Sequence, residues 1–194
     1  MLIYFNLQEQ KVNGKFKFSK TTKGKLEVPE VLFNKLEEAK DDPFQIINLK
    51  VAEVLEAKPH PNADKLLVLK IKCDRERTLC AGLKQYFTPE QLAGKHVIIV
   101  SNLKPALLRG IESQGMLLAA EKDGKVVVLE APNSKAGDQV FVDKVTPMTA
   151  EITIDDFAKI KLTTKNGKAI YGDKQLKTAK EDVVADVGDG ASIR

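Results

Sequence analysis

One stretch in the middle of the chain, residues 102–116, carries polar groups of several chemical kinds. It contains the amides of Asn102 and Gln114, the ammonium group of Lys104, the guanidinium group of Arg109 and the hydroxyl of Ser113. These are the groups that bind the phosphates and ribose hydroxyls of RNA. The stretch therefore indicates a site for a polyanion that also presents sugar hydroxyls.

A second group of candidate functional residues lies in the loop 58–66. Two prolines stiffen its backbone, and Asn62 and Asp64 can form hydrogen bonds with their own main chain. Such a loop is suited to hold His60 and Lys65 in fixed positions. An ordinary stiff turn is the alternative explanation.

The positive charge of the chain is concentrated in one region. The whole sequence has 31 Lys and Arg against 27 Asp and Glu, a net charge of +4. Residues 58–84 alone hold seven basic and three acidic residues, which is the entire excess. This pattern predicts either a local polyanion site or a solvated strand face with a charged turn.

The elements that position these residues are predicted to be short strands separated by turns. Strands are expected at 46–55, 66–73, 78–83, 96–103, 115–121 and 125–130, and a capping box at Thr88 with Pro89 predicts one short helix. The fold class is therefore mainly β, an OB-fold Greek-key barrel of five strands with one short helix. OB barrels commonly bind oligonucleotides across their second and third strands.

The predicted second strand combines an apolar and a basic face. Alternation places Leu67, Leu69 and Ile71 inside, and Lys70 and Lys72 together outside. Neighbouring lysines repel unless an anion lies over them. The outer face is therefore predicted to bind a ligand, and Lys84 extends the same charged region.

The ends of the chain are predicted to form additional elements. Asn13-Gly14 between two alternating runs predicts a β-hairpin, and the apolar spacing after Pro29 predicts a helix over 29–40. We expect an N-terminal extension at 1–42, the OB barrel at 43–144 and a small β-rich subdomain at 145–194.

Aromatic residues are scarce in the predicted barrel. Between residues 43 and 149 they are Phe44, Tyr86, Phe87 and Phe141, and none falls in the charged second or third strand. Stacking of bases on aromatic rings is therefore not expected to be the main source of affinity. Backbone phosphates and 2′-hydroxyls of a folded RNA are the better targets, with weak sequence discrimination.

Several separated motifs resemble one known family. The motifs are HPNADKL at 60–66, AGL at 81–83, SNLKPALLRGIESQGM at 101–116 and PNSKAGDQVF at 132–141. They resemble the tRNA-binding domains of the endothelial-monocyte-activating polypeptide II type. Residues 151–194 resemble, more weakly, the C-terminal subdomain of the eukaryote-type members, which imitates a dimer interface. Relatives often have a basic residue in place of Leu107, and Arg75, Arg77 or Lys72 are candidates to replace that contact.

The resemblance implies structure-specific, largely sequence-nonspecific tRNA binding. The chain would act as a cofactor, subunit or appended domain of an aminoacyl-tRNA synthetase of the methionyl, tyrosyl or lysyl type. Its signature loop would comprise His60, Asn62 and Asp64. The candidate RNA-binding residues, from the resemblance and the charge pattern together, are Lys65, Lys70, Lys72, Lys84, Asn102, Lys104, Arg109, Ser113, Gln114 and Met116.

The remaining expectations concern chemistry, assembly and location. No catalytic residue, cofactor or metal is expected, since the nucleophile elbow needs a glycine where Ile111 stands two residues before Ser113. We expect a cytoplasmic protein with no membrane partner, either monomeric through its pseudo-dimer subdomain or homodimeric. The alternatives are a protein-binding export chaperone with the same barrel and a cytokine-like fragment of a synthetase complex.

Overall fold

The computed structural model describes residues 7–12, 15–20, 42–143 and 145–194. The chain divides into two compact units, Met1–Asp41 and Asp42–Arg194. In the first unit β1 (Leu7–Val12) pairs antiparallel with β2 (Lys15–Lys20), with Val12 opposite Lys15. This pairing confirms the predicted hairpin. The predicted helix over 29–40 lies outside the described residues.

The second unit is mainly β. Its described helices are a 3-10 helix (Pro43–Ile46), α1 (Pro89–Leu92) and α2 (Ile154–Ala158). Its strands are β3 (Leu49–Pro59), β4 (Leu67–Lys72), β5 (Glu76–Ala81), β6 (His96–Val100), β7 (Ala106–Leu108), β8 (Ile111–Ser113), β9 (Met116–Leu117), β10 (Ala119–Lys122), β11 (Lys125–Val128), β12 (Gln139–Val140), β13 (Leu162–Lys165), β14 (Lys168–Tyr171), β15 (Lys174–Gln175) and β16 (Ser192–Ile193).

The strands of this unit form two large antiparallel sheets in an OB-like arrangement. The first has the order β5-β4-β3-β6-β9, with β12 also paired to β3, and the second has the order β11-β10-β16-β13-β14-β15. The fold class predicted from the sequence is therefore confirmed. The predicted capping box is present too, since the Thr88 N–H donates to the side-chain oxygen of Gln91 at 2.8 Å.

Several local predictions differ from the structure. The strand predicted at 46–55 begins at Leu49 and continues to Pro59, and the strand predicted at 78–83 lies at Glu76–Ala81. The predicted strand 96–103 ends at Val100, and the predicted strand 115–121 divides at Leu118 into β9, which pairs with β6, and β10, which pairs with β11. The connection predicted between them instead contains a separate hairpin, β7–β8. A strand prediction from alternation alone does not detect these boundaries, because they depend on strand partners that are distant in sequence.

Two apolar clusters form the core of this unit. One fills the barrel end around β4 and β5, where Leu67, Leu69 and Ile71 are fully buried as predicted. The other joins barrel residues such as Leu49 to C-terminal residues such as Leu162. The C-terminal segments therefore share a core with the barrel. Among the described residues, no helix is both long enough and apolar enough to cross a lipid bilayer.

Candidate nucleic-acid interface

The loop 60–66 and the hairpin β7–β8 are joined through His60, whose side chain is buried. The main-chain N–H of Asn62 donates to His60 Nδ1 at 3.0 Å. The proton of the neutral ring is therefore on Nε2, which lies 3.1 Å from the Leu108 carbonyl oxygen and donates to it. Two motifs that are 48 residues apart in sequence are thus in direct contact.

The same loop also contacts the segment that follows β5. The main-chain N–H of Lys84 donates to the carbonyl oxygen of Lys65 at 3.3 Å. Lys65 is exposed and Lys84 is half-buried. The signature loop thereby brings two basic residues from separate predicted elements next to each other.

Arg109 lies at the tip of the hairpin β7–β8. Its φ is +51° and that of Gly110 is +97°, so both residues of this two-residue turn are left-handed, as a type I′ turn requires. Such turns match the twist of the paired strands and favour glycine or asparagine. An exposed arginine in this conformation is uncommon, which makes its side chain a candidate for a functional role.

Asn102 positions the motif rather than facing solvent. Its buried side chain accepts a hydrogen bond from the Asn48 N–H at 2.9 Å and donates to the carbonyls of Ile46 and Ala150, each at 2.8 Å. The amide oxygen and both amide N–H groups of Asn102 are thus hydrogen-bonded to main chain. The Asn102 side chain therefore holds three main-chain segments together, and its predicted RNA contact stays a prediction. The adjoining chain holds Lys104, whose N–H donates to the Ile152 carbonyl.

Ser113 is likewise buried and occupied. Its hydroxyl accepts from the Cys80 N–H at 3.0 Å and donates to the Gly115 carbonyl at 3.1 Å. The Ser113 hydroxyl therefore joins β5 to the start of the segment after β8 through main-chain hydrogen bonds. Gln114 is half-exposed, and its side chain donates to Glu112 at 3.0 Å.

The outer face of β4 is compensated by acidic residues. Lys72 is opposite Glu53 on one side and Glu76 on the other. Lys70 is opposite Glu56, and its ammonium lies 3.0 Å from the Glu76 carboxylate, whose hydrogen bond raises the pKa of Lys70. The count of charges along 58–84 missed Glu53 and Glu56, because the fold brings them in from the preceding strand.

Arg77 is also engaged within the protein. Its guanidinium donates to both oxygens of Asp74, at 3.0 and 3.1 Å, and to the carbonyls of Ser101 and Gln114. Partial burial acts to raise the pKa of Asp74, but the hydrogen bonds and charge of Arg77 outweigh it and lower that pKa. Arg77 is therefore not available as a replacement phosphate contact, whereas Arg75 is exposed.

Five of the six predicted RNA-binding lysines and arginines have no ion pair among the described residues. One of the five, Lys72, lies opposite Glu53 and Glu76 in the strand register, whereas the other four lie in loops and turns. Across residues 42–143 and 145–194, no described carboxylate lies within 4 Å of the side-chain nitrogens of Lys65, Lys84, Lys104 or Arg109. We call these four residues the free cation set. Unpaired cations at one end of a molecule form a field that attracts polyanions.

An apolar cavity of about 730 Å³ is lined by one member of the free cation set and by the sequence neighbours of the other three. Lys104 lines the cavity directly, and Leu66, Leu83 and Leu108, each next in sequence to another member of the set, line it as well. The half-buried Met116 also lines it. Asn62 and Asp64 are exposed in the signature loop.

Tyr86 is a site residue that sequence reasoning missed. Its side chain lines the same cavity and is 44% exposed. It lies outside the charged strands, in a turn in which its N–H donates to the Leu83 carbonyl. The sequence signal that could have identified it is an aromatic residue two positions after the basic Lys84.

Comparison with known proteins places this geometry in a family. Residues 49–139, which contain both motifs and all four free cations, match the family model described as "Putative tRNA binding domain". This segment belongs to the tRNA-binding domain family. The recognition made from the sequence motifs is therefore confirmed.

The similar proteins include methionine–tRNA ligases. The enzyme of Pyrococcus horikoshii is 52% identical over 101 residues, which are 52% of this chain and 14% of that protein. The enzyme of Borreliella afzelii is 32% identical over 176 residues, covering 74% of this chain and 24% of that protein. The chain thus spans less than a quarter of the length of these relatives.

A solved structure extends the likeness to the C-terminal segments. The C-terminal domain of Plasmodium vivax p43 superposes with a TM-score of 0.73 at 28% identity. The match covers 79% of this chain and 99% of that one. It therefore includes more than the segment matched by the family model.

Proposed function

We propose that this chain binds tRNA and does so in the service of an aminoacyl-tRNA synthetase, most directly a methionyl one. The observation that carries the proposal is that the elements bearing the free cation set are in contact: His60 joins the loop of Lys65 to the hairpin of Arg109, and the Lys84 N–H donates to the Lys65 carbonyl. Lys104 lines the cavity that Leu66, Leu83 and Leu108 also line. Family membership of residues 49–139 supports tRNA as the polyanion.

The proposed contacts are mainly to the RNA backbone. Ammonium and guanidinium groups at fixed separations bind phosphates, which carry no sequence information. Asn102 and Ser113 act by holding the segment that presents Lys104 and Arg109. Lys70 contributes less, because its ammonium is already paired with the Glu76 carboxylate. Lys72 is assigned a smaller share as well, because it lies between Glu53 and Glu76 in the strand register.

Binding of purified total tRNA to single variants tests these assignments. Changing Lys65, Lys84, Lys104 or Arg109 to Ala should weaken binding in each case, because each change removes one proposed phosphate contact. Lys58→Ala and Lys70→Ala are matched controls, since each removes the same charge from a residue paired with a carboxylate, at 2.7 and 3.0 Å. Equal losses in all six variants would contradict the proposed site and leave only a general charge effect.

The role in aminoacylation has a separate test. Methionyl-tRNA synthetases contain a homologous segment, so a synthetase from which that segment is deleted should have a raised KM for tRNA. Adding this chain, fused at the site of the deletion, should lower that KM with little change in kcat. An unchanged KM would contradict the synthetase role while leaving tRNA binding intact.

The segment 145–194 is assigned to the same proposal as a pseudo-dimer subdomain. Its support is the core that Leu162 and Ile193 share with barrel residues. Sedimentation equilibrium should give a monomer, and a homodimer would contradict this assignment.

A further inference from the structure

The apolar cavity that Lys104 lines offers few groups that could bind a phosphate. Its lining includes Leu66, Leu83, Tyr86, Pro105, Leu108 and Met116, so most of the wall cannot form hydrogen bonds. A volume of about 730 Å³ lies in the range of pockets that take small organic ligands. Lys104 is a member of the free cation set that lines the cavity wall itself.

We propose that this cavity takes one unpaired nucleobase of the bound RNA, with Tyr86 as the stacking surface. The inference rests on the proposed tRNA binding and names the part of the RNA that the site recognises. An apolar socket beside unpaired cations is complementary to a nucleotide, whose base is flat and apolar on its faces and whose phosphate is anionic. A fully paired helix keeps its bases stacked, so only a loop, bulge or single-stranded end supplies such a base.

The position of the cavity supports this occupant over a protein segment. Lys104 lines the cavity, and Lys65, Lys84 and Arg109 each follow or precede a lining leucine by one residue. Glu121 and Arg194 also line it, but they form an ion pair with each other, so Lys104 is the lining charge without a partner among the described residues. Tyr86 borders the apolar cavity and is still 44% exposed to solvent, so its ring is accessible to a base. Base stacking on such a ring tolerates any base, which agrees with weak sequence discrimination.

Cys80 reports on occupancy without a mutation. It lines the cavity, whereas Cys73 is buried in the core and does not. β4 pairs with β5 such that Cys80 is opposite Val68, so Cys73 lies about 17 Å farther along the hairpin. Burial raises the pKa of both thiols, so alkylation is measured at mildly alkaline pH.

The experiment compares total tRNA with a blunt RNA duplex of similar phosphate number. At saturating tRNA, N-ethylmaleimide should alkylate Cys80 at least fivefold more slowly than in the free protein, whereas saturating duplex should change that rate less than twofold. Mass spectrometry of both cysteine peptides makes Cys73 the internal control. Equal protection of Cys80 by tRNA and duplex would overturn the proposal, as would protection by a methionyl-tRNA synthetase but not by RNA.

Affinity measurements supply the second arm. Tyr86→Ala should lose roughly 5- to 100-fold in affinity for tRNA, the range for loss of one stacked base, and little for the duplex. Tyr86→Phe keeps the ring and should bind as the parent does, and a thermal melt of each variant checks folding. If tRNA binds with strong salt dependence but Tyr86→Ala is without effect, the nucleobase proposal fails and the proposed function stands. If tRNA does not bind at all, both fail.

Discussion

His60 and Leu108 are joined by a hydrogen bond of 3.1 Å between the imidazole Nε2 and the main-chain oxygen. This bond fixes the loop that carries Lys65 against the hairpin that carries Arg109. Since the ring is buried and its Nδ1 is already an acceptor, its orientation is determined at both nitrogens.

Replacing His60 should therefore loosen the interface. His60→Ala leaves the Leu108 carbonyl without its donor and should lower the free energy of unfolding by about 1 to 3 kcal/mol, with weaker tRNA binding. His60→Gln retains a side-chain N–H and should recover part of both. Asn62→Ala is the control, because the bond from residue 62 comes from its main chain. Urea denaturation and tRNA titration measure the two effects, and parent-like binding by His60→Ala would refute the positioning role.

Asn102 and Lys104 should separate stability from binding. Asn102→Ala removes three hydrogen bonds to main chain and should lower the free energy of unfolding by about 2 to 4 kcal/mol. Lys104→Ala, at an exposed position, should leave stability unchanged and weaken tRNA binding. Chemical denaturation of both variants distinguishes them. A fully stable Asn102→Ala protein would show that this amide is not the structural centre of the motif.

Gly115 is predicted to be irreplaceable within the motif. Its φ is +142°, and a Cβ atom there would lie 2.9 Å from the Val100 carbonyl oxygen and 3.3 Å from a Leu79 methyl carbon. Gly115→Ala should therefore cost about 2 to 4 kcal/mol, from backbone strain and overpacking together. Gly110→Ala has the strain of a positive φ but open space around the new methyl group. Thermal unfolding should show the larger loss for Gly115→Ala, and equal losses would contradict the steric argument.

Acid should weaken the start of α2. The side-chain hydrogen bond from Lys159, followed by those from Thr153, lowers the pKa of Asp156 from 3.8 to about 2. A carboxylate with a lowered folded-state pKa stabilises the folded state fully above 3.8, and that stabilisation is lost as the pH falls towards 2. The melting temperature of Asp156→Asn should thus decrease less between pH 5 and pH 2 than that of the parent. The difference between the two proteins reports the contribution of this one carboxyl group. Asp155→Asn, at the neighbouring exposed position, is the control, and identical pH profiles for parent and Asp156→Asn would contradict the assignment.

The parts of the fold that depend on local pattern were predictable. The alternation of Leu67, Leu69 and Ile71, the hairpin at residues 7–20 and the capping box at Thr88 all rest on neighbours in sequence. The short hairpin β7–β8 was missed, because its strands have only three residues each and its turn residue Arg109 is not a usual left-handed residue.

The site was predictable in its motifs but not in the roles of its residues. The sequence does not reveal that β3 places Glu53 and Glu56 opposite the lysines of β4, since strand register is a property of the folded sheet. Nor does it reveal that Asn102 and Ser113 are buried, because amides and hydroxyls serve ligands and main chain equally well. The arrival of Tyr86 at the cavity depends on the same long-range packing.

The salt dependence of tRNA binding tests the central claim most directly. Filter binding of total tRNA between about 50 and 200 mM salt should give a log-log slope of several units, about 0.7 to 0.9 for each phosphate neutralised. Arg109→Ala should reduce the magnitude of the slope by about one such increment, whereas Lys70→Ala should leave it unchanged. A flat profile for the parent protein, or the same slope in Arg109→Ala as in the parent, would contradict the account of an RNA backbone held by the free cation set.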